Sequence, residues 1–131
     1  MIYLDSCALI ALTIERDPVE DLIEFLKDHS GTPMATSSIG FVETVRGASH
    51  YGQYPTLMAE LSTMYGELTM TQEVRDIAST LPRSLRTLDA LHVATALSIE
   101  DYLTSLVSYD RRLLKAAREQ GLPVASPGMD D

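Results

Sequence analysis

Four acids in this chain stand where a carboxylate can do chemistry. Asp5 follows the apolar run Met1-Ile2-Tyr3-Leu4, and Asp110 follows Leu106-Val107-Ser108-Tyr109. Asp89 opens an apolar helical stretch, and Glu43 lies inside another helix between Gly40 and Gly47. Like charges at close range repel and raise one another's pKa, so four converging carboxylates need cations. All four offer hard oxygen donors. With one cysteine and three histidines in the chain, the set suits Mg²⁺ or Mn²⁺ rather than zinc. Such a site activates water and clamps a phosphate during in-line displacement.

Each acid also has a plain structural reading. Asp is common at strand exits and turns. Asp89 in a first turn complements the helix dipole. Glu43 can pair with Arg46, and its two glycines can serve close helix packing. Alternatively, they leave room for something large to approach the acid. His92, three residues after Asp89, reads as a buried structural histidine more readily than as a ligand. Ser6 and Ser108, each beside a strand-end acid, are candidates to orient it or a bound water from a second shell. Arg46 and Arg86 are candidates to hold a phosphate.

The elements that must position these groups follow from periodicity. Apolar runs of about four residues predict buried parallel strands at Met1–Leu4, Pro33–Thr36, Leu68–Met70, Leu106–Tyr109 and, more weakly, Pro123–Ala125. Between them, helices are predicted at Cys7–Glu15, Val19–His29 and Ile39–His50. Others are predicted at Tyr54–Tyr65, Gln72–Leu81 and Arg111–Gln120. Gly31 and Gly121 serve as stops and Ser37 or Ser38 as a cap. The stretch from Leu88 to Leu97 is apolar nearly all round, which predicts a buried helix capped by Thr87. Alternating short strands and helices predict a parallel sheet covered on both faces by helices. In such sheets ligands bind outside the carboxyl ends of the strands, so Asp5 and Asp110 face each other if their strands are neighbours. The tail from Pro127 to Asp131 is expected to fray.

The chain has 131 residues and 45% hydrophobic content, which suits one domain spanning 1–131 with a real core. Cys7 is the single cysteine, so no internal disulfide forms. No membrane span or signal peptide is visible, and a cytoplasmic location is expected. The net charge of −9 argues against a simple phosphate-binding surface, which would be basic. It permits metal ions to bring the positive charge, or a basic partner to cover an acidic face.

These residues resemble a family. Strand one ending in Asp5-Ser6, Glu43 followed by Arg46, the run Leu88-Asp89-Ala90-Leu91-His92-Val93-Ala94-Thr95-Ala96, and Val107-Ser108-Tyr109-Asp110-Arg111-Arg112-Leu113 look like PIN-domain ribonucleases. The ending Gly121 to Gly128 is also similar. The short one-domain form resembles the VapC toxins of type II toxin–antitoxin pairs. The resemblance implies a three-layer α/β/α sandwich, Rossmann-like, with a parallel sheet of about five strands, and Mg²⁺-dependent RNA cleavage that leaves a 5′ phosphate and a 3′ hydroxyl. It implies Asp5, Glu43, Asp89 and Asp110 as the catalytic, metal-binding acids. It also implies a homodimer and an antitoxin covering the acidic site.

Two alternatives are weighed against it. A phosphoacceptor receiver domain needs an acidic pair after its first strand and a lysine after a late one, whereas Lys27 and Lys115 fall inside predicted helices. A catalytically inactive binding module of the same fold is the other. Finally, the helices Val19–His29 and Ile39–Tyr65 carry more apolar surface than a small sheet covers, which predicts a groove for an amphipathic partner segment.

Overall fold

The computed structural model describes residues 1–129. The strands are short, and each of the first four is answered by a helix that begins at a polar cap. Strand β1 (Ile2–Leu4) leads into α1 (Ser6–Ile14), and Asp5 caps that helix by accepting from the Ala8 amide at 2.9 Å. Helix α2 (Val19–Asp28) is followed by β2 (Met34–Ser37). Ser37 caps α3 (Ser38–Ala48) through the Gly40 amide. Then come α4 (Leu57–Met64), β3 (Gly66–Leu68) and α5 (Gln72–Thr80), the last capped by Thr71. Helix α6 (Thr87–Ser98) and a 3₁₀ turn at Glu100–Tyr102 precede β4 (Ser105–Val107). Asp110 caps α7 (Arg111–Glu119) by accepting from the Arg112 and Leu113 amides, and β5 (Val124–Ala125) completes the sheet. Gly121 sits at φ +83° just past α7, the left-handed position that closes a helix C-terminus.

All strand pairs are parallel, in the order β3-β2-β1-β4-β5. The chain therefore runs outward from β1 in one direction, then returns to its other side with β4. Such a switch of direction opens a crevice at the carboxyl ends of the two strands concerned.

Alternation splits the sheet between two apolar layers. Ile2, Leu4 and Val107 pack with Leu9, Leu22 and Phe41 on one face. Tyr3 and Leu106 pack with Val93, Leu113 and Ala117 on the other. These layers match the expected α/β/α sandwich with five parallel strands. Among the described residues no helix is long and apolar enough to cross a membrane.

Some boundaries differ from the sequence reading. The third strand is Gly66–Leu68 rather than Leu68–Met70, because Ala35–Ser37 of β2 pairs with Gly66–Leu68 and Thr71 draws the chain into α5. Gly66 and Glu67 are exposed on this edge strand, so neither residue type announces it. Residues 54–56 stay outside α4. Arg86, not Thr87, is the residue before α6, and no side chain caps that helix. Its buried middle is as expected, but Leu88 is 48% exposed where the first turn meets an opening. The segment Pro127–Met129 is pinned rather than frayed. The Tyr109 hydroxyl donates to the Pro127 carbonyl at 2.8 Å, and the Met129 amide to the Ser126 carbonyl. The rest of that expected tail lies outside the described residues.

Candidate active site

Strands β1 and β4 are hydrogen-bonded neighbours, with Leu4 level with Val107. The acids that follow them therefore arrive at one edge of the sheet. Asp5, Asp110, Glu43 of α3 and Asp89 of α6 all line one open pocket of about 330 Å³. Ser6, Cys7, Arg86 and His92 complete much of its wall. The chain thus carries four carboxylates to one place from four different elements.

Their environments differ. Asp5 is 4% exposed. Its Oδ1 caps α1, and its Oδ2 accepts from the Ser108 hydroxyl at 2.5 Å. Burial pushes its pKa up to about 6, aided by the charge of Asp110 and opposed by the bonds from Ser108 and Ala8. The Ser108 oxygen in turn accepts from the Asp110 amide at 3.0 Å. One hydroxyl therefore fixes the two strand-end acids relative to each other. Asp89 is held above the usual carboxylate range by burial and by Asp110, with Arg86 acting against both. The Arg86 guanidinium stands 3.5 Å from Asp89, and it is mostly exposed.

Glu43 is held by the residue read as structural. His92 is 3% exposed and bridges two layers. Its Nε2 faces Glu43 Oε1 at 2.5 Å, and its Nδ1 faces the Tyr3 hydroxyl at 2.6 Å. Since a carboxylate only accepts, Nε2 carries the proton. In the neutral ring Nδ1 then accepts from the Tyr3 hydroxyl. Burial alone would lower the His92 pKa. The bond to Glu43 and the charges of Glu43, Asp5 and Asp89 outweigh it and raise the pKa. Tyr3, wholly buried, is pushed well above the ordinary phenol range and stays neutral.

Sequence reasoning placed His92 in the interior but missed this connection between Tyr3 on the sheet and Glu43 on α3. The signal was present as a polar residue inside an apolar helix, which must find a partner. The glycines around Glu43 serve packing. A Cβ at Gly40 would collide with Thr36 Oγ1, and one at Gly47 with Ile10 Cδ1. They let α3 close on β2 and α1, and they leave no extra room at the acid. Arg46 is exposed on α3 and is not among the residues lining the pocket.

The pocket concentrates negative charge against one exposed arginine and one histidine. Its donors are oxygens, the chemistry of a hard divalent cation. They ring the pocket rather than forming a closed cage. Among the described residues no three His, Cys, Asp or Glu side chains converge closely enough to hold an ion unaided. Carboxylate oxygens are the donors that a hard divalent cation takes, one or two at a time, together with waters and substrate phosphate oxygens.

The PIN domain family matches residues 2–119, nine-tenths of the chain. The chain belongs to the PIN-domain family. It is 40% identical over 133 residues to Ribonuclease VapC47 of Mycobacterium tuberculosis (strain CDC 1551 / Oshkosh), covering 98% of each chain. Two solved structures share the PIN fold across nearly the whole chain. A toxin–antitoxin complex from Klebsiella pneumoniae superposes with TM-score 0.73 at 23% identity, covering 99% of this chain and 100% of that one. FitAB bound to an IR36 DNA fragment superposes with TM-score 0.73 at 17% identity, covering 100% and 98%.

Proposed function

We propose that this PIN domain is a metal-dependent endoribonuclease and the toxin of a toxin–antitoxin pair. The observation that carries the reading is the meeting of Asp5, Glu43, Asp89 and Asp110 at one sheet edge. The chain around them is 40% identical to a protein named a VapC ribonuclease over 98% of both lengths.

In this reading the four carboxylates would hold Mg²⁺, with Mn²⁺ able to substitute. When bound, the cation supplies Lewis-acid polarisation of the phosphate and a more acidic water. The residues do the positioning. Ser108 holds Asp5 against rotation, and the α1 cap holds its other oxygen. His92 fixes Glu43 through Nε2. Arg86 stands at the opening, where an incoming phosphate meets a guanidinium before it meets the acids. The water oxygen bonds to phosphorus as the bond to the 3′ oxygen breaks. The proton of the water passes to a pocket carboxylate, and the departing 3′ oxygen is protonated from solvent. The products are a 5′ phosphate and a 3′ hydroxyl.

The cognate antitoxin would cover the acidic site, bringing a basic side chain to it, and the toxin would pair as a homodimer. Two observations support an apolar docking surface. A cleft of about 340 Å³ lies between α1 and α4, lined by Leu12, Tyr54, Leu57 and Met64 among others. Met64, in its wall, is 60% exposed.

Incubating the purified chain with labelled RNA and Mg²⁺, beside chelator and an Asp5→Asn control, tests the reading. Cleavage that needs both the metal and Asp5 is the expected outcome. RNA left intact by the wild type with Mg²⁺ and Mn²⁺ would make the chain a binding module instead.

A further inference from the structure

The chain is acidic, yet its cations are not scattered. Of its ten Lys and Arg residues, six fall in the two short segments 83–86 and 111–118. Both segments leave the carboxylate pocket directly. Arg86, Thr87 and Leu88 line that pocket, while Ser84 and Leu85 just before them line a second cavity of about 230 Å³. Likewise Asp110 lines the first cavity, and Arg112, two residues on, lines the second. The two hollows share no lining residue, but each of these two segments runs from the lining of one to the lining of the other and forms a saddle between them.

The second cavity has two kinds of surface. Leu85, Val93 and Ala116 are buried or half-buried and make an apolar floor. Arg112 and Lys115 are exposed on its rim beside one carboxylate, Glu119, so the rim carries a net positive charge. Lys115 has one weak tie, 4.0 Å to Glu119, with both groups mostly in solvent. Ser84 and Gln120 add polar groups at the edge. An apolar slot with cations on its rim and a few hydrogen-bonding groups matches an unpaired nucleotide: a base to bury, a phosphate to neutralise, and base edges to read. At about 230 Å³ it is smaller than the roughly 300–1,000 Å³ of sites that take whole drug-sized ligands, so it has room for one base and none for a duplex.

We propose that an RNA strand leaving the carboxylate pocket crosses the saddle between Arg86 and Arg112, lays its phosphates on Arg112 and Lys115, and buries one unpaired base over Leu85, Val93 and Ala116. This rests on the ribonuclease reading and names where that substrate goes on one side of the cut. An acidic protein segment would also meet the cations. Continuity with the carboxylate pocket favours RNA, because a strand held there must continue over a flanking surface, and this flank carries the local excess of positive charge.

The test uses the full chain carrying Asp5→Asn, with Mg²⁺ present and a short labelled single-stranded RNA of mixed sequence, so that binding is read without cutting. Arg112→Gln with Lys115→Gln should weaken binding at least tenfold. It should also flatten the plot of log Kd against log salt by about 1.4, the loss of two single-strand phosphate contacts. Ala116→Phe should weaken binding with the salt slope unchanged, since it fills the slot and leaves the cations. Thermal melts establish that both variants fold. Where the wild-type chain cuts RNA, unchanged Kd and slope in the Gln pair overturn the track alone. The track is equally overturned if the Gln pair keeps RNA affinity but loses a protein partner or changes the oligomeric state. Where the wild-type chain does not cut RNA and the Asp5→Asn chain does not bind it, the ribonuclease reading falls, and the track with it.

Discussion

The Ser108 hydroxyl donates to Asp5 Oδ2 at 2.5 Å, across the boundary between β4 and β1. The same oxygen accepts the Asp110 amide, and the serine is fully buried. Removing the hydroxyl leaves a buried carboxylate oxygen and an amide without this partner, a cost of ~1–3 kcal/mol. Ser108→Ala should lower stability by that amount. It should also reduce cleavage, because Asp5 gains freedom to rotate away. Ser108→Thr retains the donor and should recover most of the activity. Melts and RNA-cleavage rates of the two variants check this. Equal rates in Ser108→Ala and the wild type would mean that Asp5 needs no such support.

The Tyr3–His92–Glu43 connection makes a separable prediction. Tyr3→Phe removes one end of it, while Glu43 still faces His92 Nε2. A modest loss of activity is expected, since the imidazole is held less firmly. His92→Ala frees Glu43 and opens a cavity in the core, so both activity and stability should fall. The informative measurement is the double variant. Tyr3→Phe should cost nothing further in activity once His92 is gone, because Tyr3 acts on Glu43 through the ring. Additive losses would show that Tyr3 supports the sheet without positioning Glu43.

The convergence of Asp5 and Asp110 was legible because each follows a short apolar run, and parallel strands place such ends together. Strand order was not legible. Nothing local in the sequence says that β4 returns beside β1, and only that order makes these acids neighbours. Glu43 was visible as an acid on a helix, but its glycines were ambiguous. A helix presents a glycine wherever another element must approach closely, and here Thr36 and Ile10 are those neighbours. The edge strand Gly66–Leu68 escaped detection because an exposed strand needs no apolar alternation. The basic pair at the second cavity was also hidden, since along the chain Arg112 and Lys115 read as the solvated face of an amphipathic helix.

The cleft between α1 and α4 leads to a prediction about association. Met64 lines it at 60% exposure, so a charge there should cost the isolated fold little. A partner segment that buries its own apolar side chains in the cleft would meet the charge directly. Met64→Glu should therefore keep the melting temperature and RNA cleavage while weakening capture of the adjacent gene product. Co-purification with that product, wild type against variant, is the measurement. Undiminished capture would place the antitoxin elsewhere.

The last prediction concerns pH, and two groups act in the same direction. The Asp5 carboxyl titrates near 6 in the fold, against 3.8 for an ordinary aspartate. The folded state therefore holds that proton more tightly than the unfolded chain, and stability falls as pH rises through the interval between the two values. The gap amounts to ~3 kcal/mol at about 1.4 kcal/mol per pH unit, an upper figure because the unfolded chain is not featureless. His92 is also raised. A raised histidine adds stability below its unfolded pKa of 6.5 and loses it as pH climbs through the folded value. The metal-free protein should thus melt highest in mild acid and lose stability towards neutral pH and above. Asp5→Asn removes the Asp5 contribution to that slope and should stabilise the metal-free chain near pH 7. The gain is reduced because the amide can no longer accept the Ser108 proton at that position. In the wild type, Mg²⁺ at a hundred times its dissociation constant should add about 2.7 kcal/mol, and this increment should shrink in Asp5→Asn. Melts across pH 4–8 with chelator, then with Mg²⁺, decide both points. A wild-type melting temperature that rises from pH 5 to pH 7 without metal would mean that burial does not hold the Asp5 proton. Equal Mg²⁺ increments in the two forms would remove Asp5 from the metal site.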